Sequence, residues 1–103
     1  MSDRQLATGV WVLDGAVQTG MLVSGDRALL IDCCDSVTPA RLARLGIRHV
    51  DIILCTQHRR CNVAGAYAFV EQGAQLVVPA GDRPLFEQAE AYWEDPRNRW
   101  HIY

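Results

Sequence analysis

Three residues able to bind metal or act as nucleophiles recur at every third position of one short stretch: Cys55, His58 and Cys61, within residues 54–66, LCTQHRRCNVAGA. Cysteine and histidine together suit a structural zinc site, and Cys33 or Cys34 could approach across a sheet to complete one. Against that, Cys55 closes an apolar segment that points into a core, and there is no pair of cysteines separated by two intervening residues. A Cys61–His58 nucleophile is the other chemistry on offer, with Arg59 or Arg60 lowering the thiol pKa at a helix N-terminus. A spacing of three in a loop does not establish contact, and no third group is placed to orient the histidine. The plain alternative is that these cysteines are small buried hydrophobes. Asp32, which ends the apolar run RALLID, is the further candidate. Its carboxylate is expected near the 56–62 loop, either supporting a site there or capping a turn.

These residues must be positioned by a regular framework. The first third of the chain reads as antiparallel β: a short strand over residues 6–13, a second over 17–25 and a third over 27–32. Gly15 supplies the first bend, and Ser24-Gly25-Asp26 a hairpin turn. The third strand is almost wholly apolar, as a central strand buried on both faces would be. Helix and strand then alternate. Thr38 is a good N-cap with Pro39 at the first helical position; Leu42 and Leu45 form the apolar side, and Gly46 stops the helix. Residues 51–55, DIILC, give a compact buried strand. Val63, Ala66, Tyr67 and Val70 recur at helical spacing up to Gly73, and residues 75–78 form another strand ended by Pro79.

Asp82 is placed to cap a last helix with Leu85, Phe86, Ala89 and Trp93 on its buried side, and Pro96 ends that helix. The segment 97–103, RNRWHIY, is apolar and ends without a closing turn, which fits a boundary inside a larger domain or a strap across this small one. His49 reads as a surface residue ahead of a strand, and Trp11, Trp93 and Trp100 as core or interface residues. The loop of interest leaves a buried strand and enters a helix, the place where α/β proteins put chemistry because two rigid elements hold its ends.

At 103 residues, half of them apolar, the chain suffices for one small packed domain. The net charge is −2 from 10 basic and 12 acidic side chains, and every basic one is Arg. The arginines are dispersed among acids except for Arg59-Arg60, so nucleic acid is not an expected partner. The polar N-terminus, MSDRQLATG, lacks the apolar stretch of a signal peptide, and no run approaches the roughly 20 apolar residues that cross a bilayer. Four cysteines, two of them adjacent, read as free thiols in a reducing compartment. A cytoplasmic location, away from membranes, is therefore expected.

The combined phrases resemble the N-terminal half of metallo-β-lactamase-fold hydrolases. That family carries Thr-His-x-His-x-Asp-His between a strand and a helix, followed by small residues; here the run is Thr56-Gln57-His58-Arg59-Arg60-Cys61-Asn62, then Val63-Ala64-Gly65-Ala66. The family's apolar-Ile-Asp-x-Gly strand end is matched by Leu30-Ile31-Asp32-Cys33-Cys34. Its hairpin is echoed by residues 18–30, and its Gly-Ile approach to the strand by Leu45-Gly46-Ile47 onward. The resemblance spans essentially the whole chain but half or less of such a domain. It implies an α/β, αββα sandwich of which residues 1–103 form a single partial domain, antiparallel strands first and helix–strand alternation after.

Carried over residue by residue, the resemblance puts the family's ligand positions on Gln57, Arg59, Cys61 and Asn62, with His58 at the variable position between two ligand histidines. Active relatives use zinc or another divalent metal to activate water against an ester, amide or similar bond. Here glutamine is a weak neutral donor, and Arg59 has no acceptor and repels a cation. No bound metal is therefore expected, with His58, Cys61 and Cys55 the weak candidates for one and Asp32, His58 and Cys61 the candidates for any catalysis. The expected function is an inactive or incomplete hydrolase-fold protein that takes a small-molecule substrate only if the site works. The alternatives are a non-catalytic, self-associating scaffold, partnered by a second copy or the missing C-terminal half, and a small Cys/His zinc module.

Overall fold

The computed structural model describes residues 3–15, 17–56 and 63–82. Among these the chain forms β1 (Asp3–Ala7), β2 (Val10–Leu13), β3 (Thr19–Ser24), β4 (Arg27–Ile31), α1 (Pro39–Arg44), β5 (His49–Leu54), α2 (Ala66–Val70) and β6 (Gln75–Val77). A single 3₁₀ turn follows at Ala80–Asp82. The strands make one six-stranded sheet in sequential order. Pairing is antiparallel from β1 to β4 and parallel from β4 to β6. The change of sense falls where hairpins give way to helical crossovers, because a parallel pair cannot be joined by a tight turn.

Local chemistry accounts for the turns. Gly25 has φ 62 between β3 and β4, in a two-residue hairpin that needs positive φ. The Thr38 hydroxyl accepts from the Arg41 N–H at 3.2 Å, and Pro39 opens the helix. At the other end Gly46 has φ 85; its N–H donates to Ala43 O, and the Ile47 N–H donates to Leu42 O, both at 3.0 Å. These two bonds make a Schellman stop, which satisfies the last carbonyls of the helix.

The core lies between one face of the sheet and the helical segments. Leu13, Met21, Leu30 and Ile53 come from the sheet, Val37, Leu42 and Ile47 from around α1, and Val63, Ala66 and Phe69 from around α2. A bulge helps assemble it. Ala28 pairs with Val50 but Leu29 pairs with Ile52, so Asp51 is the extra residue of β5. This lets Val50 and Ile53, three apart, both face the core, and it puts the Asp51 carboxylate beside Arg27. Arg41 ties the strand edge to α1: buried, it donates to Asp3 Oδ1 from Nε at 3.0 Å and Nη2 at 2.6 Å, and to Asp14 O at 2.9 Å.

The structure corrects three expectations. Residues 6–13 are not one strand, because Thr8 and Gly9, the latter with φ 76, turn β1 back onto β2. The apolar runs of β4 and β5 are buried on one face only: Ala28, Leu30 and Ile53 are buried, whereas Ile31 and Leu54 are exposed. In the second crossover Phe69 points inward with Val63 and Ala66, while Tyr67 and Val70 are exposed. The expected helix over 82–94 and the apolar segment 97–103, with Trp93 and Trp100, lie outside the described residues. No helix among the described residues is long and apolar enough to cross a membrane.

Candidate functional site

β4 and β5 run side by side and end together, so the residues that follow them, Asp32-Cys33-Cys34 and Cys55-Thr56, meet at one end of the sheet. Asp32 is the joint. It is the one non-glycine residue with positive φ among the described residues, at 62°, a conformation that Asp tolerates better than most. Its N–H donates to Leu54 O at 2.7 Å, which extends the β4–β5 ladder by one rung. Its carboxylate is buried and accepts twice from Thr56: from the N–H to Oδ1 and from the hydroxyl to Oδ2, each at 2.8 Å. The left-handed turn aims the carboxylate across to the neighbouring strand, and the two bonds are charge-assisted.

The far side of the loop is fixed to the same turn. The Gly65 N–H donates to Cys33 O at 3.0 Å. A Cβ on Gly65 would run into the carbonyl oxygen of Cys34 and come within 3.1 Å of Cys33 Sγ. Thus the last residue before the 57–62 segment and the glycine just after it both rest on residues 32–34.

Three free thiols pack behind this joint: Cys33, Cys34 and Cys55, all buried. Burial pushes the Cys33 thiol up to about 12, and Cys34, Cys55 and Asp32 add to the effect as nearby negative charges. Burial also pushes Cys55 up to about 12, with Asp32 adding to it. Cys34 is different. Burial works to raise it, but hydrogen bonding to Ser36, Thr19 and Val17 outweighs burial and holds it below the ordinary thiol value. The Cys34 Sγ lies 3.1 Å from Ser36 Oγ, and the Cys34 N–H donates to Thr19 Oγ1 at 3.5 Å. The most acidic of these thiols is therefore fully enclosed, which gives a substrate no route to it.

Of the residues singled out in the sequence, the structure brings together Asp32 and Cys55 and adds Thr56 between them. Gln57, His58, Arg59, Arg60, Cys61 and Asn62 lie outside the described residues. His49 is the exposed first residue of β5, away from the joint, and Trp11 packs at the margin of the core. Thr19, Ser36 and Gly65 are the residues that sequence reasoning did not assign to the site. The small-residue run after the loop is the one signal that pointed to Gly65. Thr19 and Ser36 carry no signal, since their contacts join segments distant in sequence or sit inside an irregular turn. No group of three or more His, Cys, Asp or Glu side chains among the described residues is placed to hold a metal ion.

No family model matches the sequence. No curated protein matches it either. Among solved structures the chain is similar to the metallo-beta-lactamase FIM-1 from Pseudomonas aeruginosa in its mono-zinc form. The TM-score is 0.65 at 15% identity, over 86% of this chain and 46% of that one. The chain thus spans a little under half the length of that protein. At this identity the likeness is one of fold: the mixed six-stranded sheet with its helical crossovers is the N-terminal portion of a metallo-β-lactamase-like αββα sandwich.

Proposed function

We propose that this chain is a metallo-β-lactamase-like partial domain, residues 1–103, whose loop site serves as a structural joint, and that it acts as a non-catalytic protein-binding module. The observation that carries this reading is the engagement of Asp32. Its buried carboxylate is hydrogen-bonded by both the N–H and the hydroxyl of Thr56, which ties β4 to β5 at the mouth of the loop. The donor chemistry of the loop agrees. By resemblance the ligand positions fall on Gln57, Arg59, Cys61 and Asn62. Zinc catalysis needs typically three protein ligands and an open position for water, and of these four only Cys61 is a strong ligand. The residues present do not fit a catalytic zinc, so no hydrolytic step is assigned to them. A structural zinc on Cys55, His58 and Cys61 is disfavoured by the Cys55 side chain, which is buried in the core.

A protein surface is then the partner to consider, either a further copy of the chain or the remaining half of such a sandwich. The three free buried thiols among the described residues support a reducing, cytoplasmic setting, and the dispersal of the arginines among acids along the sequence argues against nucleic acid as a partner. Metal analysis after purification in the presence of zinc or manganese tests the reading. The expected result is substoichiometric metal and no hydrolysis of ester or amide substrates. Stoichiometric metal that is lost in His58→Ala or Cys61→Ala would restore a metal-dependent hydrolase.

A further inference from the structure

The end of the sheet opposite the Asp32 joint carries a cleft of its own. β4 and β5 both start there, and α2 ends there, because each crossover must return the chain to the start of the next parallel strand. The cleft holds about 380 Å³, at the lower end of the range for small-molecule sites. Arg48 and His49 line it from the start of β5 and Gln72 from the end of α2, while the Arg27–Asp51 pair forms one wall. The bulge in β5 contributes: by offsetting Val50 from Asp51 it lets the consecutive residues 48–51 all border one space. Bulges recur where a strand re-aims side chains beside a site. Charge in the cleft is uneven. Arg27 is neutralised by two hydrogen bonds to Asp51, of 3.0 and 2.7 Å. The exposed Arg48 guanidinium has no ion pair or hydrogen bond among the described residues. Its backbone is fixed, since the N–H groups of Arg48 and His49 both donate to Asp26 O, at 2.8 and 3.1 Å.

We infer that this cleft binds a short organic monocarboxylate, its carboxylate on the Arg48 fork and a hydroxyl or amino group on its neighbouring carbon reaching His49 or Gln72. One uncompensated guanidinium matches one negative charge, and its planar donors match a carboxylate in pairs. A dianion such as a phosphate monoester would set a second negative charge against the Asp51 carboxylate in the same wall. Gln72 supplies both a donor and an acceptor, which suits a ligand with a polar group beside its carboxylate. A long apolar tail has no place to go. Next to the cleft, between Leu42, Ile47 and Phe69, lies a notch of about 20 Å³, room for a single water. The ligand is therefore small and polar. The inference stands apart from the protein-binding reading above, since it uses neither the joint nor the loop at 57–62.

Amide proton–nitrogen correlation spectra of the full 103-residue chain test this, recorded while sodium lactate, or separately its amino counterpart alanine, is added at constant ionic strength. The expected result is a set of shifts that saturate at millimolar concentration of at least one of the two. They should fall on Arg48, His49, Gln72 and Gly73 and leave Thr19 and Cys34, at the other end of the sheet, unmoved. Arg48→Gln is expected to weaken binding roughly tenfold or more, as loss of a charge-assisted pair does. Arg48→Lys, which keeps the charge without the fork, should fall between the two. Arg48 is exposed and outside the core, so both variants are expected to fold, and their own spectra check it. Shifts that never saturate, that fall elsewhere, or that survive unchanged in folded Arg48→Gln overturn the inference. Sodium chloride reproducing them, or inorganic phosphate binding more tightly than either probe, overturns it too. So does the absence of shifts with both probes, whatever then fills the cleft.

Discussion

The carboxylate of Asp32 earns its left-handed backbone by what it reaches. A non-glycine residue at φ 62 costs about 1–2 kcal/mol, and two charge-assisted bonds to Thr56 offset it. Asn tolerates the same backbone, and its amide can accept from the Thr56 N–H and donate to the Thr56 hydroxyl, so Asp32→Asn should lose only about 1 kcal/mol. Asp32→Ala keeps the strained φ, removes both acceptors and leaves a Thr56 N–H to find water; the expected loss is about 2–4 kcal/mol. Urea midpoints of the two variants check this. Equal losses would show that the carboxylate does not hold the joint.

Among the elements, the loop connection depends on contact between two backbones. α2 is reached through a chain return at Gly65, whose N–H bonds Cys33 O and whose missing side chain lets the return lie against the Cys34 carbonyl. Any Cβ there must push the 63–66 segment off the 32–34 turn. Gly65→Ala should therefore destabilise the fold by about 3 kcal/mol, the upper end for overpacking, since the obstructing atom is backbone and cannot rotate away. Gly25 and Gly46 differ from Gly65 in kind: a Cβ at either meets open space, and positive φ is the constraint. Chemical denaturation of Gly65→Ala decides the point; an unchanged midpoint would mean the return does not pack this closely.

For the molecule as a whole, the enclosed thiols predict how stability changes with pH. Cys33 and Cys55 titrate near 9 in an ordinary setting and are pushed up to about 12 in the fold. Between those values the unfolded chain has released protons that the folded chain keeps, so stability falls as pH rises. The fall is at most about 1.4 kcal/mol per pH unit for each of these two thiols, and below the window these two contribute no slope. Urea midpoints measured from pH 7 to 11 should decline above about pH 9, and Cys55→Ala should show a shallower decline. A slope that is the same with and without Cys55 would count against its enclosure. The same one-sided packing that encloses the thiols leaves Leu22, Ile31, Leu54 and Val77 exposed on the opposite sheet face, and the prediction of metal-free purification likewise belongs to the whole chain.

The order of strands and helices, the Thr38-Pro39 start and Gly46 stop of α1, and the place of the loop after β5 follow from local preferences, which act within a few residues and so can be read along the chain. The likeness to the N-terminal portion of a metallo-β-lactamase-like sandwich was readable on the same basis, from phrases in a fixed order. The donor types at Gln57, Arg59, Cys61 and Asn62 are likewise a matter of sequence. Tertiary structure alone decided the rest. An apolar run such as RALLI or DIIL reads the same whether one face is covered or both, so only the position of the helices showed that Ile31 and Leu54 stay exposed. The Asp51 bulge, the turn at Gly9 and the inward side of Phe69 depend on register with distant strands. The Asp32–Thr56 joint and the Gly65 approach bring together residues 24 and more apart along the chain, and no local rule couples them.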